Sequence, residues 1–328
     1  MVRGGWHAPS SLTAASKYSS PLAYHMAKLP TIDGVSPSVM TLPVPAAGNA
    51  PFSLLSFLEQ SVHIPVGQTW LDRMLHSLVL SDAGLPFMPD TPYLAGQRVY
   101  YYRHVVNEPQ VPFTESILYQ DAHLLVADKP HFLPVSPTGR YVQETLLVRL
   151  KKRTSLDDLV PIHRIDRDTA GLVLFSVQSA SRDAYAALFR QRSVAKCYEA
   201  IAPFRADLSF PFLHRSRLVS AASFMQMQEV AGEPNTETHI ALLEQRGALA
   251  RYQLRPITGK RHQLRVHMMS LGMPICGDAI YPTLTPEPQL DALDYTHPLQ
   301  LLAQSIAFED PVTGLQHAFH SLQRLMLP

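Results

Sequence analysis

The stretch that most constrains the fold runs from residue 161 to residue 176, where a crowded ionisable segment leads directly into an apolar run. Its first half contains five titratable side chains within six residues: His163, Arg164, Asp166, Arg167 and Asp168. Its second half, Leu172 to Phe175, follows Gly171 and is typical of a buried strand entered through a turn. The pattern therefore predicts a core strand that anchors a polar loop, which is a common construction of catalytic sites.

The composition is that of a folded protein in a reducing compartment. Of 328 residues, 46% are hydrophobic and 17% are charged, which is too apolar for a disordered chain. The two cysteines, Cys197 and Cys276, have no metal-type spacing and predict no disulfide framework. No apolar run approaches the roughly 18 residues that a membrane span requires, and the N-terminus lacks a hydrophobic signal core. We therefore expect a cytoplasmic protein without a membrane association.

The charged residues are distributed unevenly, although the net charge is only +1. Between Glu244 and Asp278 there is no acidic residue, whereas six basic residues occur there: Arg246, Arg251, Arg255, Lys260, Arg261 and Arg265. This asymmetry predicts a local positive surface of the kind that a phosphate-binding cleft requires, although a solvated charged face is a simpler alternative.

The chain divides into three predicted regions. Residues 1–50 are rich in Pro, Ser, Ala and Gly without periodicity and predict a flexible or loosely packed tail. Residues 51–107 predict two helices that begin after Ser53 and Thr69, followed by a small hairpin. Residues 114–328 predict the main domain.

Two further motifs follow the central stretch. Tyr198 lies in the segment Lys196-Cys-Tyr198, within a predicted strand. The run Thr-Gly-Lys-Arg-His-Gln-Leu-Arg-Val-His, residues 258–267, is predicted to open a helix, and Pro274-Ile-Cys-Gly-Asp278 leads on to Tyr281.

In this order, the motifs resemble those of the RluA family of RNA pseudouridine synthases. Residues 163–171 are similar to the family signature His-Arg-Leu-Asp-x-x-Thr-Ser-Gly, with Ile165 in place of Leu and Ala170 in place of Ser. The resemblance covers roughly residues 114–281 and implies an α+β fold, with a mixed, largely antiparallel sheet, flanking helices and a central cleft. Residues 51–107 loosely resemble the family's αL-type RNA-binding module, and a purely structural cap is the alternative.

The resemblance implies that the chain isomerises specific uridines in ribosomal or transfer RNA to pseudouridine. Asp166 matches the family's nucleophile, Arg265 matches the arginine that forms a salt bridge with it, and Tyr198 matches the tyrosine that stacks on the uracil. Because the reaction needs neither a redox change nor a group carrier, no cofactor and no metal are expected.

Structured RNA is the implied partner, and the target base has to leave its stack to react. Arg164 matches a family position whose side chain can fill the gap, although an ion pair with Asp168 is an equal alternative. The other predicted RNA contacts are Arg167, Lys196, Arg255, Lys260, Arg261 and His262. We expect a monomer that needs no protein partner.

Two other functions compete with this interpretation. A catalytically silent RNA-binding protein of the same fold is disfavoured, because the aspartate, tyrosine and arginine are all present. A metal-dependent hydrolase would use Asp166 with His163, His262 and His267. It is disfavoured because His262 and His267, five residues apart, lie on different sides of a helix.

Overall fold

The fold is built on two β-sheets of very different size. The computed structural model describes residues 29–45, 52–62, 69–105, 107–286 and 293–328. Within them, a 3-stranded sheet forms a small unit before the main domain, and an 11-stranded sheet runs through the main domain. No helix of the described residues is long and apolar enough to cross a membrane.

The small unit, which we call the N-terminal unit, combines three short strands with two helices. Its elements are β1 (Ser38–Thr41), α1 (Leu54–Ser61), α2 (Trp70–Leu75), β2 (Val79–Leu80) and β3 (Arg98–Tyr101). β3 lies between the other two strands and pairs antiparallel with both. Both helices begin as predicted: the hydroxyl of Ser53 accepts a hydrogen bond from Ser56 N, and that of Thr69 accepts one from Asp72 N.

The region from residue 38 to residue 42 differs from the predicted tail of residues 1–50. β1 pairs with β3 over four residues, and Leu42 is buried in the core formed by α1 and α2. The short run Ser-Val-Met-Thr carries little strand signal of its own, so its structure depends on the ladder that β3 offers. Residues 1–28 and 46–50 of the predicted tail lie outside the described residues.

The main sheet is mixed and largely antiparallel, as predicted. Its strands are β4 (Ser116–Gln120), β5 (Leu124–Lys129), β6 (Val160–Pro161), β7 (Ala170–Ser176), β8 (Ala195–Pro203), β9 (Phe212–Ser220), β10 (Met227–Val230), β11 (Thr236–Arg246), β12 (Leu249–Pro256), β13 (Leu301–Glu309) and β14 (Gln316–His320). The order is β10-β9-β11-β12-β8-β13-β7-β5-β4, with β14 beside β13 and β6 beside β7. Among these pairings only that of β13 with β7 is parallel. The helices of this domain are α3 (Leu146–Thr154), α4 (Arg182–Arg190) after a 3-10 turn at Ser179–Ser181, and α5 (Gln263–Ser270).

β7 is the predicted core strand and is buried along its whole length. Leu172 and Leu174 pack into one hydrophobic cluster, while Val173 and Phe175 pack into another on the opposite face of the sheet. A strand covered on both faces reads as a continuous apolar run rather than an alternating one, which explains why the sequence pattern identified it.

Gly171 brings the polar loop against β13. Its φ is +109°, and a Cβ at this position would lie 2.3 Å from the carbonyl oxygen of Ala303, so only glycine fits there. Ala303 is the register partner of Gly171 on one side and of Tyr198 in β8 on the other. The fold therefore sets the loop that precedes β7 next to Tyr198.

Candidate active site

A cavity of about 640 Å³ lies where the loop between β6 and β7 meets β8 and the start of α5. Seven of the ten predicted site residues line it: Arg164, Asp166, Lys196, Tyr198, Lys260, His262 and Arg265. Arg167, Arg255 and Arg261 are not among its lining residues.

Arg265 connects the loop to α5 through its guanidinium. Nη1 donates to Asp166 Oδ2 at 3.0 Å, while Nε and Nη2 donate to the two carboxylate oxygens of Asp278 at 2.8 and 2.6 Å. The side chains of Arg265 and Asp278 are 2% and 1% exposed, whereas that of Asp166 is 28% exposed. Asp278 and Asp166 together raise the pKa of Arg265 above its ordinary value despite its burial, so the guanidinium stays charged. Asp166 is thus held at one oxygen and remains open to the cavity.

Asp278 is a site residue that the sequence analysis quoted in a motif but did not assign. It follows Gly277, whose φ of +73° and close approach to the carbonyl of Pro298 exclude a larger residue. Its Oδ1 also accepts hydrogen bonds from the backbone N–H groups of Ile280 and Tyr281, which fix the carboxylate in the turn. The sequence did contain a signal for this role, since Asp278 lies between Gly277 and Tyr281 in a recognised motif. A buried carboxylate in such a turn requires a partner of opposite charge.

Tyr198 lines the cavity as a half-buried residue of β8. Burial, and after it the charge of Asp166, raises the pKa of its phenol above the ordinary value. The phenol is therefore protonated at neutral pH, and the ring lies in the same cavity as the carboxylate.

His262 stands on the other side of Asp166, at the left-handed position (φ 56°) that precedes α5. Its Nε2 lies 3.8 Å from Asp166 Oδ1, and its Nδ1 lies 2.9 Å from the hydroxyl of Tyr281. That hydroxyl accepts a hydrogen bond from Met227 N, and it can donate its own hydrogen to Nδ1 when the ring is neutral and protonated at Nε2. Burial, more than the neighbouring charges, lowers the pKa of His262, which favours this neutral form.

His163 and His267 make structural contacts and do not converge on Asp166. His163 Nε2 accepts a hydrogen bond from Leu174 N, the ring stacks on Phe189, and burial lowers its pKa to about 3. Both ring nitrogens of His267 contact threonine hydroxyls of β11, at 3.0 Å each. Within the described residues, the group of His, Cys, Asp or Glu side chains close enough to share a metal ion is His214, Glu229 and His267, which does not include Asp166.

Lys129 supports the loop that carries Asp166 and was not among the predicted site residues. It is completely buried, and its Nζ donates to the carbonyl oxygens of Pro130 and Arg167 at 2.9 and 2.8 Å. Burial lowers its pKa to about 7, while Asp168 and Asp166 oppose this shift. The amine therefore ties the backbone next to Asp166 to the end of β5.

The predicted RNA contacts fall into two groups. Arg164 is exposed and lines the cavity, and Lys196 and Lys260 also line it. The alternative of an Arg164–Asp168 ion pair is wrong, because Asp168 pairs with Arg167 at 2.8 Å instead. Arg255 is exposed on β12 beside Cys197, and the guanidinium of Arg261 donates to the carbonyls of Phe224 and Gln226.

Comparison with known proteins gives a consistent result. The model of the RNA pseudouridylate synthase family matches residues 123–270. An uncharacterised RNA pseudouridine synthase of Synechocystis sp. is 30% identical over 238 residues, which make up 70% of this chain and 79% of that protein. The dual-specificity RNA pseudouridine synthase RluA of Salmonella typhi is 31% identical over 223 residues, or 65% of this chain and 94% of that protein.

The solved structure of human RNA pseudouridylate synthase domain containing 1 is similar in fold. It covers 66% of this chain and 94% of its own, with a TM-score of 0.51 and 21% sequence identity. Together with the family model and the bacterial relatives, the site geometry leads to one assignment: the chain belongs to the RluA-type family of RNA pseudouridine synthases.

Proposed function

We propose that this enzyme converts specific uridines of ribosomal or transfer RNA to pseudouridine, with Asp166 as the nucleophile. The observation that carries the proposal is the contact between Arg265 Nη1 and Asp166 Oδ2 in a cavity that also contains Tyr198. The arginine orients the carboxylate through this hydrogen bond, while the exposed part of Asp166 is free to reach a substrate.

The chemistry is an isomerisation in which no atom is gained or lost. The bond between the ribose carbon and the ring nitrogen breaks, the uracil rotates, and a bond forms from ring carbon five to the ribose. The proton at carbon five leaves, and the ring nitrogen gains one. The carboxylate of Asp166 can attack either the ribose carbon or carbon six of the ring.

Tyr198 and the cations of the cavity have separate roles in this proposal. Tyr198 stacks on the uracil and assists proton transfer at the ring, a role that its place in the same cavity as Asp166 supports. Arg164 enters the stack when the target base leaves it. Lys196 and Lys260 contact the phosphates that flank this base, because long cationic side chains position a backbone without reading its sequence.

Other parts of the predicted function rest on the sequence alone. They are the RNA contacts of Arg167, Arg255, Arg261 and His262, the RNA-binding role of residues 51–107, the monomeric state and the cytoplasmic location. The contacts of the N-terminal unit with the main domain, such as Arg103 Nη1 to the carbonyl of Pro137 at 2.9 Å, suit a structural cap as well as an RNA-binding module.

The test of the proposal is Asp166→Asn, which keeps the volume of the side chain but cannot act as a carboxylate nucleophile. RNA from a strain that lacks the gene serves as substrate, and chemical mapping of pseudouridine is the readout. We expect no product from Asp166→Asn, with folding and RNA binding retained. Asp183→Asn, which removes an exposed carboxylate paired with Arg190, is the matched control and should behave as wild type. Turnover by Asp166→Asn would disprove the mechanism, and a wild type without activity would support the silent RNA-binding alternative.

A further inference from the structure

The tip of the β9–β10 hairpin presents an aromatic side chain to solvent. Residues 221–226 connect the two strands, and within them Phe224 is 80% exposed and Met225 is 40% exposed. A single exposed apolar residue is ordinary on a protein surface. What distinguishes Phe224 is the way in which its backbone is held.

Three hydrogen bonds fix the hairpin tip to Arg261, a chain neighbour of two cavity-lining residues, and to Ile280. Arg261 Nη2 donates to the carbonyl of Phe224 at 2.7 Å and to that of Gln226 at 3.2 Å. Gln226 Nε2 donates to the carbonyl of Ile280 at 2.8 Å. Behind the tip, Met227 N donates to the hydroxyl of Tyr281, the residue that also contacts His262.

The hairpin also shares a hydrophobic cluster with the helix that carries Arg265. Leu218 of β9, Val266 of α5 and Tyr281 are buried together, and Met227 packs against them. The side chain of Arg261 therefore links the tip directly to residue 261 of the backbone. The next residue is His262, whose Nε2 lies 3.8 Å from Asp166 Oδ1. Phe224 is thus an exposed ring on a backbone that is fixed relative to the catalytic carboxylate.

We propose that Phe224 is a stacking platform for an unpaired nucleobase that flanks the target uridine. This inference rests on the proposed function, because it assumes that RNA enters the cavity. A base offers a flat apolar face that a phenyl ring can cover, and stacking tolerates any base. A fixed backbone lowers the entropy lost when the complex forms, since the ring is already positioned.

The surroundings favour RNA over a protein partner. An exposed phenylalanine and a neighbouring methionine offer far less area than the roughly 800 Å² per partner that a stable protein interface buries. The charge in contact with the tip is basic, because the guanidinium of Arg261 donates to the carbonyls of Phe224 and Gln226. Cations beside an aromatic ring are the combination used by single-strand binding surfaces.

The test compares Phe224→Ala with Phe224→Trp, each made in the wild type and in the Asp166→Asn background. Turnover of RNA from the gene-deleted strain gives kcat and KM. Binding without turnover is followed by the fluorescence of 2-aminopurine in a single-stranded oligouridylate, which is quenched when the base stacks. Leu315→Ala is the matched control, since Leu315 is 60% exposed in the turn after β13, about 20 Å or more along the strands from Ala303.

We expect Phe224→Ala to weaken binding and raise KM by about 5- to 140-fold, the range that stacking of one base represents, and to reduce the quenching. Phe224→Trp should restore both, and Leu315→Ala should alter neither. An active wild type whose Phe224→Ala variant has unchanged KM and quenching would overturn the inference alone. Quenching that depends on Phe224 in a wild type that forms no pseudouridine would overturn the proposed function and leave the stacking site intact.

Discussion

Asp278 binds the Nε and Nη2 edge of Arg265, and this leaves Nη1 as the donor that reaches Asp166. The two-pronged contact fixes the plane of the guanidinium, and that plane decides where the carboxylate of Asp166 is held. Asp278 is therefore a positioning residue: it contacts the arginine and not the cavity.

Substitution of Arg265 and Asp278 tests this arrangement. Arg265→Lys keeps the charge but loses the planar fork, so partial activity is expected. Arg265→Met leaves two carboxylates without their partner, a change that typically costs about 3–5 kcal/mol for a buried pair. Pseudouridine formation should decrease in the order wild type, Arg265→Lys, Arg265→Met and Asp166→Asn, measured as kcat on one RNA. Asp278→Asn should resemble Arg265→Lys in kcat with little change in KM, and full activity of Asp278→Asn would contradict the positioning role.

Lys129→Met tests the support beneath the catalytic loop. The variant keeps the apolar stem but leaves the carbonyls of Pro130 and Arg167 without their donor, so kcat should fall more than RNA affinity does. Burial lowers the pKa of Lys129 to about 7 from 10.5, so between these pH values the unfolded chain binds a proton that the folded chain lacks. Stability should therefore rise with pH across this window in the wild type, and less in the variant.

The matched control for this change is Lys152→Met, in which an exposed lysine of α3 loses its charge. Its kcat and its pH dependence of unfolding should equal those of the wild type. Identical behaviour of Lys129→Met and Lys152→Met would refute the role of the buried amine.

The protein should lose stability in mild acid, at pH values above those at which most carboxylates titrate. Burial lowers the pKa of His163 to about 3 and that of His267 to about 4, both below the ordinary 6.5. Below pH 6.5 the unfolded chain binds these protons while the folded chain does not, so the free energy of unfolding falls as the pH is lowered from 6.5 to 5. Each group contributes up to about 1.4 kcal/mol per pH unit. Chemical denaturation at several pH values should give a shallower dependence for His163→Gln, and an unchanged slope would mean that His163 is already protonated in the folded state.

Lys260 lines the cavity and Arg255 does not, so substituting each in turn tests whether the RNA contacts are confined to the cavity. Lys260→Gln should weaken binding across RNA sequences and reduce the slope of log affinity against log salt by about one unit or less. Arg255→Gln should reduce the slope less than Lys260→Gln does, because Arg255 lies outside the cavity lining. Equal effects of the two variants would show that the RNA path extends over β12.

Local sequence was sufficient wherever one segment carries its own physical signal. The apolar run of β7 identified a strand buried on both faces, and the hydroxyls of Ser53 and Thr69 marked the starts of α1 and α2. The ordered motifs identified the chemistry, because Asp166, Tyr198 and Arg265 each occur in a recognisable context. These features depend on neighbours along the chain, and for that reason the sequence predicted them.

Only the tertiary structure decided which residues far apart in the sequence become hydrogen-bond or ion-pair partners. Asp166 and Arg265 are 99 residues apart, and the resemblance to the RluA family implied that they pair but not that Asp278 orients the pair. The partner of Asp168 is Arg167 and not Arg164, and the amine of Lys129 reaches across 38 residues to the carbonyl of Arg167. β1 forms because it pairs antiparallel with β3, although its own residues have little preference for a strand. A side chain's sequence neighbours determine its helix or strand preference, whereas its charge partner is whichever group the packed sheet brings within about 3 Å. The motifs of the candidate site could therefore be recognised in the sequence, whereas the contacts that bring their residues together depend on the tertiary fold.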